Sequence, residues 1–178
     1  MKGFSNPEEV VEHLNLYGAM KIADFGAHAG FWALPLARHI TSEGVVYALD
    51  VQREPLRLLA KRAGEANLHN IRVMHADLER SEGSKLKTDS IDLVLVAHIL
   101  FQVSEKMHIL KEAHRILKKG ARIVLVEWDT VEPRPIGPAR EHRIDKKELE
   151  RLLIEAQFEN ISHFNLSNHH YGIIAHKK

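Results

Sequence analysis

The chain has no cysteine among its 178 residues, which excludes disulfide bonds, thiolate metal clusters and a cysteine nucleophile. It also lacks the run of about 18 apolar residues that a membrane-spanning helix requires, and no signal-peptide core follows Met1. We therefore expect a cytoplasmic protein without membrane insertion. The charges nearly cancel, leaving a net charge of +1, so nucleic acid is not the expected partner.

Histidine is abundant, with 13 copies, yet the spacing of these residues does not predict a metal site. Neither H-x-x-x-H nor H-E-x-x-H occurs, and the adjacent His169 and His170 would point to opposite faces of a strand. No repeat or linker divides the sequence. A chain of this length can bury about 70% of its unfolded surface, so residues 1–178 are predicted to form a single domain.

The most informative segment is residues 22–30, where an apolar run ends in Asp24 and a turn containing Gly26 leads toward a helix. Glycine lets backbone N–H groups approach a ligand, and the helix behind it offers further donors. Two later apolar runs also end in acids, Asp50 and Asp77. Because the carboxyl ends of neighbouring parallel strands share one edge of a sheet, these features predict a nucleoside site, with Asp50 accepting from the ribose hydroxyls.

Two other nucleotide motifs fail. In the dinucleotide fingerprint G-x-G-x-x-G, with Gly26 first, the other glycines would fall at His28 and Phe31. The phosphate-binding loop also fails, because no G-K-S/T follows the turn. No phosphate-binding motif therefore remains.

Strand and helix patterns alternate along the whole chain, which predicts an α/β fold with a parallel sheet and helices on both faces. The predicted strands are 21–25, one from 45, 71–75, one from 91, one after Gly120, and two from Phe158 onward. The predicted helices are 6–14, 30–39, 55–66, 104–117 and one capped by Asp145, and residues 79–90 are predicted to be a loop.

The chain resembles the class I S-adenosylmethionine-dependent methyltransferases, whose first motif, D/E-x-G-x-G-x-G, aligns with Asp24, Gly26, position 28 and Gly30. The small ubiquinone/menaquinone-type members are the most similar in pattern, through Glu127, Trp128, Gly137, Pro138 and Arg140. The resemblance implies a Rossmann-like doubly wound sheet of seven strands, mostly parallel with an antiparallel last strand. It also implies S-adenosylmethionine as the cofactor. The cofactor-binding residues that it implies are Asp24, Gly26, Ala27, His28, Gly30, Asp50, Val51, Ala76, Asp77, Leu78 and Ala97.

One position departs from the family pattern, because His28 replaces the middle glycine of the motif. If this position requires a positive φ, a residue other than glycine costs about 1 to 2 kcal/mol, although histidine is among the better tolerated exceptions. Three interpretations stay open. His28 could point away from the site, contact the cofactor or acceptor, or abolish cofactor binding.

The acceptor is expected beside the cofactor, between the loops that follow the fourth and fifth strands. His98 is the first candidate base because an ordinary histidine pKa lies near neutrality, and Glu127 is the second. The alternative is that His98 bonds backbone groups and Glu127 caps a strand end. The predicted substrate-binding residues are Phe101, Trp128, Arg140 and Arg143, with Arg134 as a further cation. These arginines could instead form a solvated surface, with Trp128 covering the core.

These features together predict a methyltransferase that acts on a small molecule by in-line displacement. A nucleic-acid methyltransferase is an alternative, although Ala97-His98-Ile99-Leu100 lacks the N/D-P-P-Y/F motif of the amino-methylating enzymes. A cofactor-binding protein without transfer activity is a third reading. A second subunit could supply a lid to so short a chain, so a homodimer stays open.

Overall fold

The computed structural model describes residues 6–130, 137–167 and 169–178. Its helices are α1 (Pro7–His13), α2 (Ala33–His39), α3 (Arg53–Glu65), α4 (Lys106–Ile116) and α5 (Lys146–Glu155), with a short 3-10 helix at Arg140–His142. Its strands are β1 (Lys21–Phe25), β2 (Val45–Asp50), β3 (Ile71–His75), β4 (Ile91–Ala97), β5 (Leu117–Trp128), β6 (Phe158–Ser167) and β7 (His170–Lys177).

The seven strands form one sheet in the order β3-β2-β1-β4-β5-β7-β6. Strands β1 to β5 pair in parallel, and β7 lies antiparallel between β5 and β6. The predicted Rossmann-like α/β fold with an antiparallel last strand is therefore confirmed. The parallel carboxyl ends of β1, β2, β3 and β4 share one edge, as the nucleoside prediction requires.

The side chains of the central strand β4 pack into the cores on both faces of the sheet, because successive side chains point to opposite faces. Val94 and Val96 point into the apolar cluster under α4 and α5, whereas Leu93 and Leu95 point into the cluster under α1, α2 and α3. All four are fully buried. A near-continuous apolar strand is what a parallel sheet covered on both faces requires.

The two predicted helix caps form as expected. The Asn6 side chain accepts a hydrogen bond from the Glu8 N–H, and the Asp145 side chain accepts one from the Lys147 N–H. The helix after β1 is shorter than predicted. It begins at Ala33 rather than Gly30, because Gly30 has a φ of +92° and cannot belong to a right-handed helix.

A second difference concerns Gly120, after which the fifth strand was predicted to begin. The residues around it are part of β5, which starts at Leu117 directly after α4. Leu117 pairs with Ile91 and Arg122 with Leu93, so residues 118–121 bulge out of the ladder, with Gly120 at a φ of +73°. Among the residues described, no helix is long and apolar enough to cross a membrane.

Gly30 offers a direct test of how tightly the glycine turn packs. A Cβ at Gly30 would lie 2.4 Å from Leu59 Cδ1, and its positive φ disfavours any side chain. We expect Gly30→Ala to lower the free energy of unfolding by about 2 to 3 kcal/mol, measured by urea denaturation.

The matched control is Gly64→Ala in α3, where nothing lies within 4 Å of the new Cβ. This change should raise stability by about 0.5 to 1 kcal/mol, because alanine favours a helix over glycine. Equal effects from the two substitutions would contradict the tight packing of Gly30.

Candidate cofactor and active site

The glycine turn joins β1 to α2 and is bonded to the neighbouring strand. The N–H groups of Gly26 and Ala27 both donate to the Leu49 carbonyl, at 2.9 and 3.0 Å. His28 has a φ of +45°, so the position does adopt the conformation that normally favours glycine. The His28 side chain is exposed, while its backbone N–H donates to Asp50 Oδ2 at 2.9 Å.

Asp50 ends β2 and connects the two loops that surround it. Its Oδ2 accepts from the His28 N–H, and its Oδ1 accepts from the Gln52 N–H at 2.8 Å. A carboxylate has about four lone-pair positions, so these two bonds leave capacity for hydroxyl donors from a ligand. The position of Asp50 at the sheet edge and its fixed orientation suit the recognition of a ribose.

Asp24 is buried in the sheet on β1, beside the strand β2 that ends at Asp50. It pairs with Ala48, two residues before Asp50 on β2, and it is 0% exposed. Neither carboxyl oxygen makes a hydrogen bond of ordinary geometry with the residues described. Burial raises the pKa of Asp24 to about 7, the Asp50 carboxylate contributes to the rise, and the Ala33 N–H acts in the opposite direction. A buried carboxylate without a close partner is strongly disfavoured, so the neutral acid is favoured below pH 7.

A cavity of about 550 Å³ opens at the carboxyl edge of the sheet. Of the eleven residues predicted to bind the cofactor, nine line it: Gly26, Ala27, His28, Asp50, Val51, Ala76, Asp77, Leu78 and Ala97. Asp24 and Gly30 are not among the lining residues; Gly30 packs on Leu59 behind the turn. The volume of the cavity falls within the usual range for small-molecule sites, roughly 300 to 1,000 Å³.

Several lining residues were missed by the sequence analysis. Phe31 and Trp32 follow the glycine turn, Gln52 and Glu79 follow the acids of β2 and β3, and Val103 follows the loop after β4, whose Ile99 and Gln102 were expected to line the acceptor site and do line the cavity. Phe31 is 56% exposed and Val51 57% exposed, so apolar side chains lie at the mouth of the cavity. Their proximity to the three strand ends was the available signal, because a ligand at that edge meets the first residues of each loop.

Asp77 lies at the far end of this edge, after β3. Its Oδ2 forms an ion pair with Arg80 Nε at 2.9 Å, and its Oδ1 accepts from the Glu79 N–H at 3.2 Å. The side chain is 40% exposed, so it is accessible from the cavity. Asp77 is therefore more solvated than Asp50.

His98 lines the same cavity from the other side, directly after β4. Its φ is +57°, its N–H donates to the Val126 carbonyl at 2.9 Å, and its buried Nδ1 has no partner among the described residues. The imidazole lies 5.5 Å from the Trp128 ring and 4.7 Å from the His170 ring, centroid to centroid. Burial lowers the pKa of His98 to about 4, so the ring is neutral at physiological pH.

His170 completes this ring cluster and was not predicted as a site residue. It starts β7 opposite Trp128, with 4.2 Å between the two ring centroids. Burial, followed by His98, His169 and Arg143, lowers the pKa of His170 to about 3. The only sequence signal was the expected antiparallel strand, which returns the start of β7 to the carboxyl end of β5.

Comparison with known proteins supplies the family. The sequence profile of the family described as "Methyltransferase domain" matches residues 22–120, more than half of the chain. The chain belongs to this methyltransferase family. The matched range contains the glycine turn, all three strand-end acids and His98.

Curated relatives agree with this assignment. The demethylmenaquinone methyltransferase of Geobacillus sp. (strain WCH70) is 26% identical over 130 residues, which are 73% of this chain and 53% of that protein. That of Geobacillus stearothermophilus is 28% identical over 120 residues, 67% of this chain and 50% of the relative. The chain thus spans about half the length of the curated relatives it matches.

Solved structures confirm the fold. A SAM-dependent methyltransferase from Aquifex aeolicus superposes with a TM-score of 0.88 at 24% identity, over 98% of this chain and 90% of the other. The [4+2]-cyclase SpnF gives 0.81 at 17% identity, over 96% and 80%.

The predicted membership of the S-adenosylmethionine-dependent methyltransferases is confirmed, and S-adenosylmethionine is the cofactor of this family's site. The residues present fit it. Asp50 is held in a fixed orientation at the sheet edge where the sequence predicts the ribose, and the turn at Gly26 lies beside it. The cavity is bounded by apolar and carboxylate side chains, which suit a cationic nucleoside.

The structure places the predicted acceptor-binding residues outside the cavity lining. Trp128 is half-buried and contacts the lining residue His98. Arg143 lies over the indole, with its Cζ 5.8 Å from the ring centroid, and donates to the carbonyls of Pro138 and Asp129. Arg140 is exposed in the 3-10 helix, and Phe101 is half-buried in the turn after β4. Arg134 lies outside the described residues.

Glu127, the second candidate base, is buried behind the turn that carries His98. It is 1% exposed and is not among the cavity-lining residues. Its Oε1 accepts from the Leu100 N–H at 3.1 Å. Burial raises the pKa of Glu127 to about 8, while the N–H groups of Leu100, Trp128 and Ile99 act in the opposite direction.

Proposed function

We propose that this protein transfers a methyl group from S-adenosylmethionine to a small, flat, uncharged acceptor of the quinol type. The observation that carries the proposal is the position of His98. Its ring lines the cofactor cavity and contacts two further rings, Trp128 and His170. The names of the demethylmenaquinone methyltransferase relatives support a quinone-like acceptor.

The ring cluster favours an uncharged acceptor because its two imidazoles, His98 and His170, are neutral at physiological pH. Aromatic and imidazole faces pack well against a conjugated ring. The lining contains Asp50, Asp77 and Glu79 but no lysine or arginine among the described residues. This charge pattern disfavours an anionic acceptor and a nucleic acid, whose phosphates require cations.

S-adenosylmethionine, when bound, supplies a methyl group already activated on a sulfonium. The protein then has to hold the acceptor in line and exclude water. The glycine turn and Asp50 provide fixed hydrogen-bonding groups on one side of the cavity, and the His98 ring, which packs on Trp128 and His170, lines the other. Catalysis by positioning therefore needs no covalent contribution from a side chain.

His98 has the chemistry to assist a hydroxyl acceptor. Its ring lines the cavity, so an unprotonated imidazole nitrogen can accept a hydrogen bond from the hydroxyl and take the proton as the oxygen becomes methylated. A base with a pKa of about 4 is weak, but the proton of a hydroxyl becomes strongly acidic once a new bond forms to its oxygen. The same low pKa keeps His98 unprotonated across the physiological range.

The proposal is tested by methyl transfer from labelled S-adenosylmethionine to a panel of reduced naphthoquinones and benzoquinones. Transfer is expected, with His98→Asn lowering kcat by about 100-fold, the usual size of a general-base contribution. Because the pKa of His98 lies near 4, wild-type activity should persist from pH 7 down to about pH 5. A decline centred near pH 6.5, the ordinary histidine value, would contradict this role for His98.

Cofactor binding without transfer is the second candidate, because His28 occupies the left-handed position usually held by glycine. Calorimetric binding with no labelled product over the whole panel would favour it. Labelled oligonucleotides in the same panel test a nucleic-acid acceptor. A cytoplasmic location, a homodimer and the organisation of residues 1–178 as one domain stay predictions from the sequence.

A further inference from the structure

Glu127 has a buried carboxyl group whose contacts differ from those of a base. It lies near the end of β5, and its Oε1 accepts from the Leu100 N–H at 3.1 Å. Leu100 is itself fully buried. A buried N–H without a partner costs about 1 to 3 kcal/mol, so the Glu127 carboxyl stabilises this path of the chain after β4.

The turn that begins at His98 has a defined shape. The His98 N–H donates to the Val126 carbonyl at 2.9 Å, and the Gln102 N–H donates to the Ile99 carbonyl at 3.0 Å. The Gln102 side chain also donates to the His98 carbonyl, at 2.8 Å. Since His98 has a positive φ, the turn needs such bonds to keep an uncommon conformation.

Ile99 is the residue that connects this turn to the cofactor side. A Cβ on Gly26 would lie only 2.2 Å from Ile99 Cγ2, so the Ile99 side chain occupies the space directly beside Gly26. Gly26 and Ile99 both line the cavity. The contact therefore links the loop after β4 to the glycine turn after β1.

We propose that Glu127 is a positioning residue that holds Ile99 against Gly26 through the Leu100 N–H and so fixes the glycine turn for the cofactor. This inference rests on the proposed function for its cofactor site, and it gives Glu127 a role other than proton transfer. An acceptor oxygen at this point is sufficient for the role. A negative charge is not needed.

The test measures the dissociation constant of S-adenosylhomocysteine by calorimetry, which requires no acceptor. Glu127→Gln keeps an oxygen that accepts from the Leu100 N–H, and its dissociation constant should stay within about threefold of wild type. Glu127→Leu removes the acceptor, and its dissociation constant should rise at least tenfold. Rescue by glutamine distinguishes the hydrogen bond from the charge.

Ile99→Ala is the second variant, and it keeps the idea testable if Glu127→Leu does not fold. It should weaken binding to a similar extent. The double variant should bind no more than about threefold more weakly than the weaker single variant, because both changes act through one contact. Leu149→Ala, a fully buried position in α5, is the control for general destabilisation, expected to lower Tm without changing the dissociation constant.

Three results would overturn the inference. The first is wild-type affinity in Glu127→Leu, and the second is binding by Glu127→Gln as weak as that of Glu127→Leu. The third is a rise in the dissociation constant of the double variant equal to the product of the rises in the two single variants. Failure of the wild type to bind S-adenosylhomocysteine would be a different outcome, since it would remove the proposed function as well. Normal wild-type binding with any of the three results leaves the proposed function intact.

Discussion

Replacing Asp50 by alanine is expected to weaken S-adenosylhomocysteine binding by at least 100-fold. The carboxylate fixes the N–H groups of His28 and Gln52 in the two loops beside it, at 2.9 and 2.8 Å, so its removal frees both loops. It also removes the proposed acceptor for the ribose hydroxyls. Hydrogen bonds to a charged group contribute about 1.5 to 3 kcal/mol each, and two of them account for a change of this size.

Calorimetric titration of the wild type, Asp50→Ala and Asp77→Asn gives the comparison. Asp77 is the matched control because it is an acid at the same edge, yet it is more exposed and pairs with Arg80. Its replacement should weaken binding by less than about tenfold. A dissociation constant for Asp50→Ala within threefold of wild type would show that the cofactor is not bound at the end of β2.

Asp24→Asn is expected to make the protein more stable than the wild type at pH 8. The pKa of Asp24 is about 7 in the folded protein, whereas an aspartate in the unfolded chain has the ordinary value of 3.8. Between these values the unfolded chain has lost a proton that the folded protein retains. The stability contributed by Asp24 is therefore fully present below pH 3.8 and is lost as the pH rises to about 7.

Urea denaturation of both proteins across pH 4 to 8 provides the measurement. The difference in unfolding free energy, wild type minus variant, should fall by roughly 4 kcal/mol over this range and then level off. The difference between the two proteins, rather than the stability of either one, is the quantity to compare. The lowered pKa values of His98 and His170 make stability rise with pH below about 6.5, and these contributions cancel between the two proteins.

Asp24→Leu serves as a second variant, because it introduces neither a titratable group nor an amide that needs partners. It should show the same pH dependence relative to wild type. A difference in stability that does not vary with pH would mean that Asp24 is ionised in the folded protein and that its oxygens are solvated.

The residues at the ends of the early strands could be predicted because local patterns determine them. The bounds of β1 and β3 follow from apolar runs between polar residues, and both match the prediction. Asp50 could be placed because parallel strands bring their carboxyl ends together. The motif raised the condition that position 28 could require a positive φ, and His28 has a φ of +45°.

Other features depend on contacts between distant parts of the chain. His170 reaches the ring cluster only because β7 inserts between β5 and β6 and pairs its first residue with Trp128. Arg143 was predicted to bind the acceptor, but sequence cannot specify which oxygens a guanidinium will meet. Here these include the Pro138 and Asp129 carbonyls.

The position of β7 also has a consequence for biosynthesis. On the ribosome β5 and β6 are made before the strand that pairs with both of them. Until β7 emerges, β5 exposes an open edge of backbone donors and acceptors next to an apolar core, and β6 has no neighbour in the sheet. Such edges recruit other chains, so the nascent protein is prone to aggregation while β5 is exposed and β7 has not yet been made. Chaperone dependence should therefore concentrate in the interval between the synthesis of β5 and that of β7.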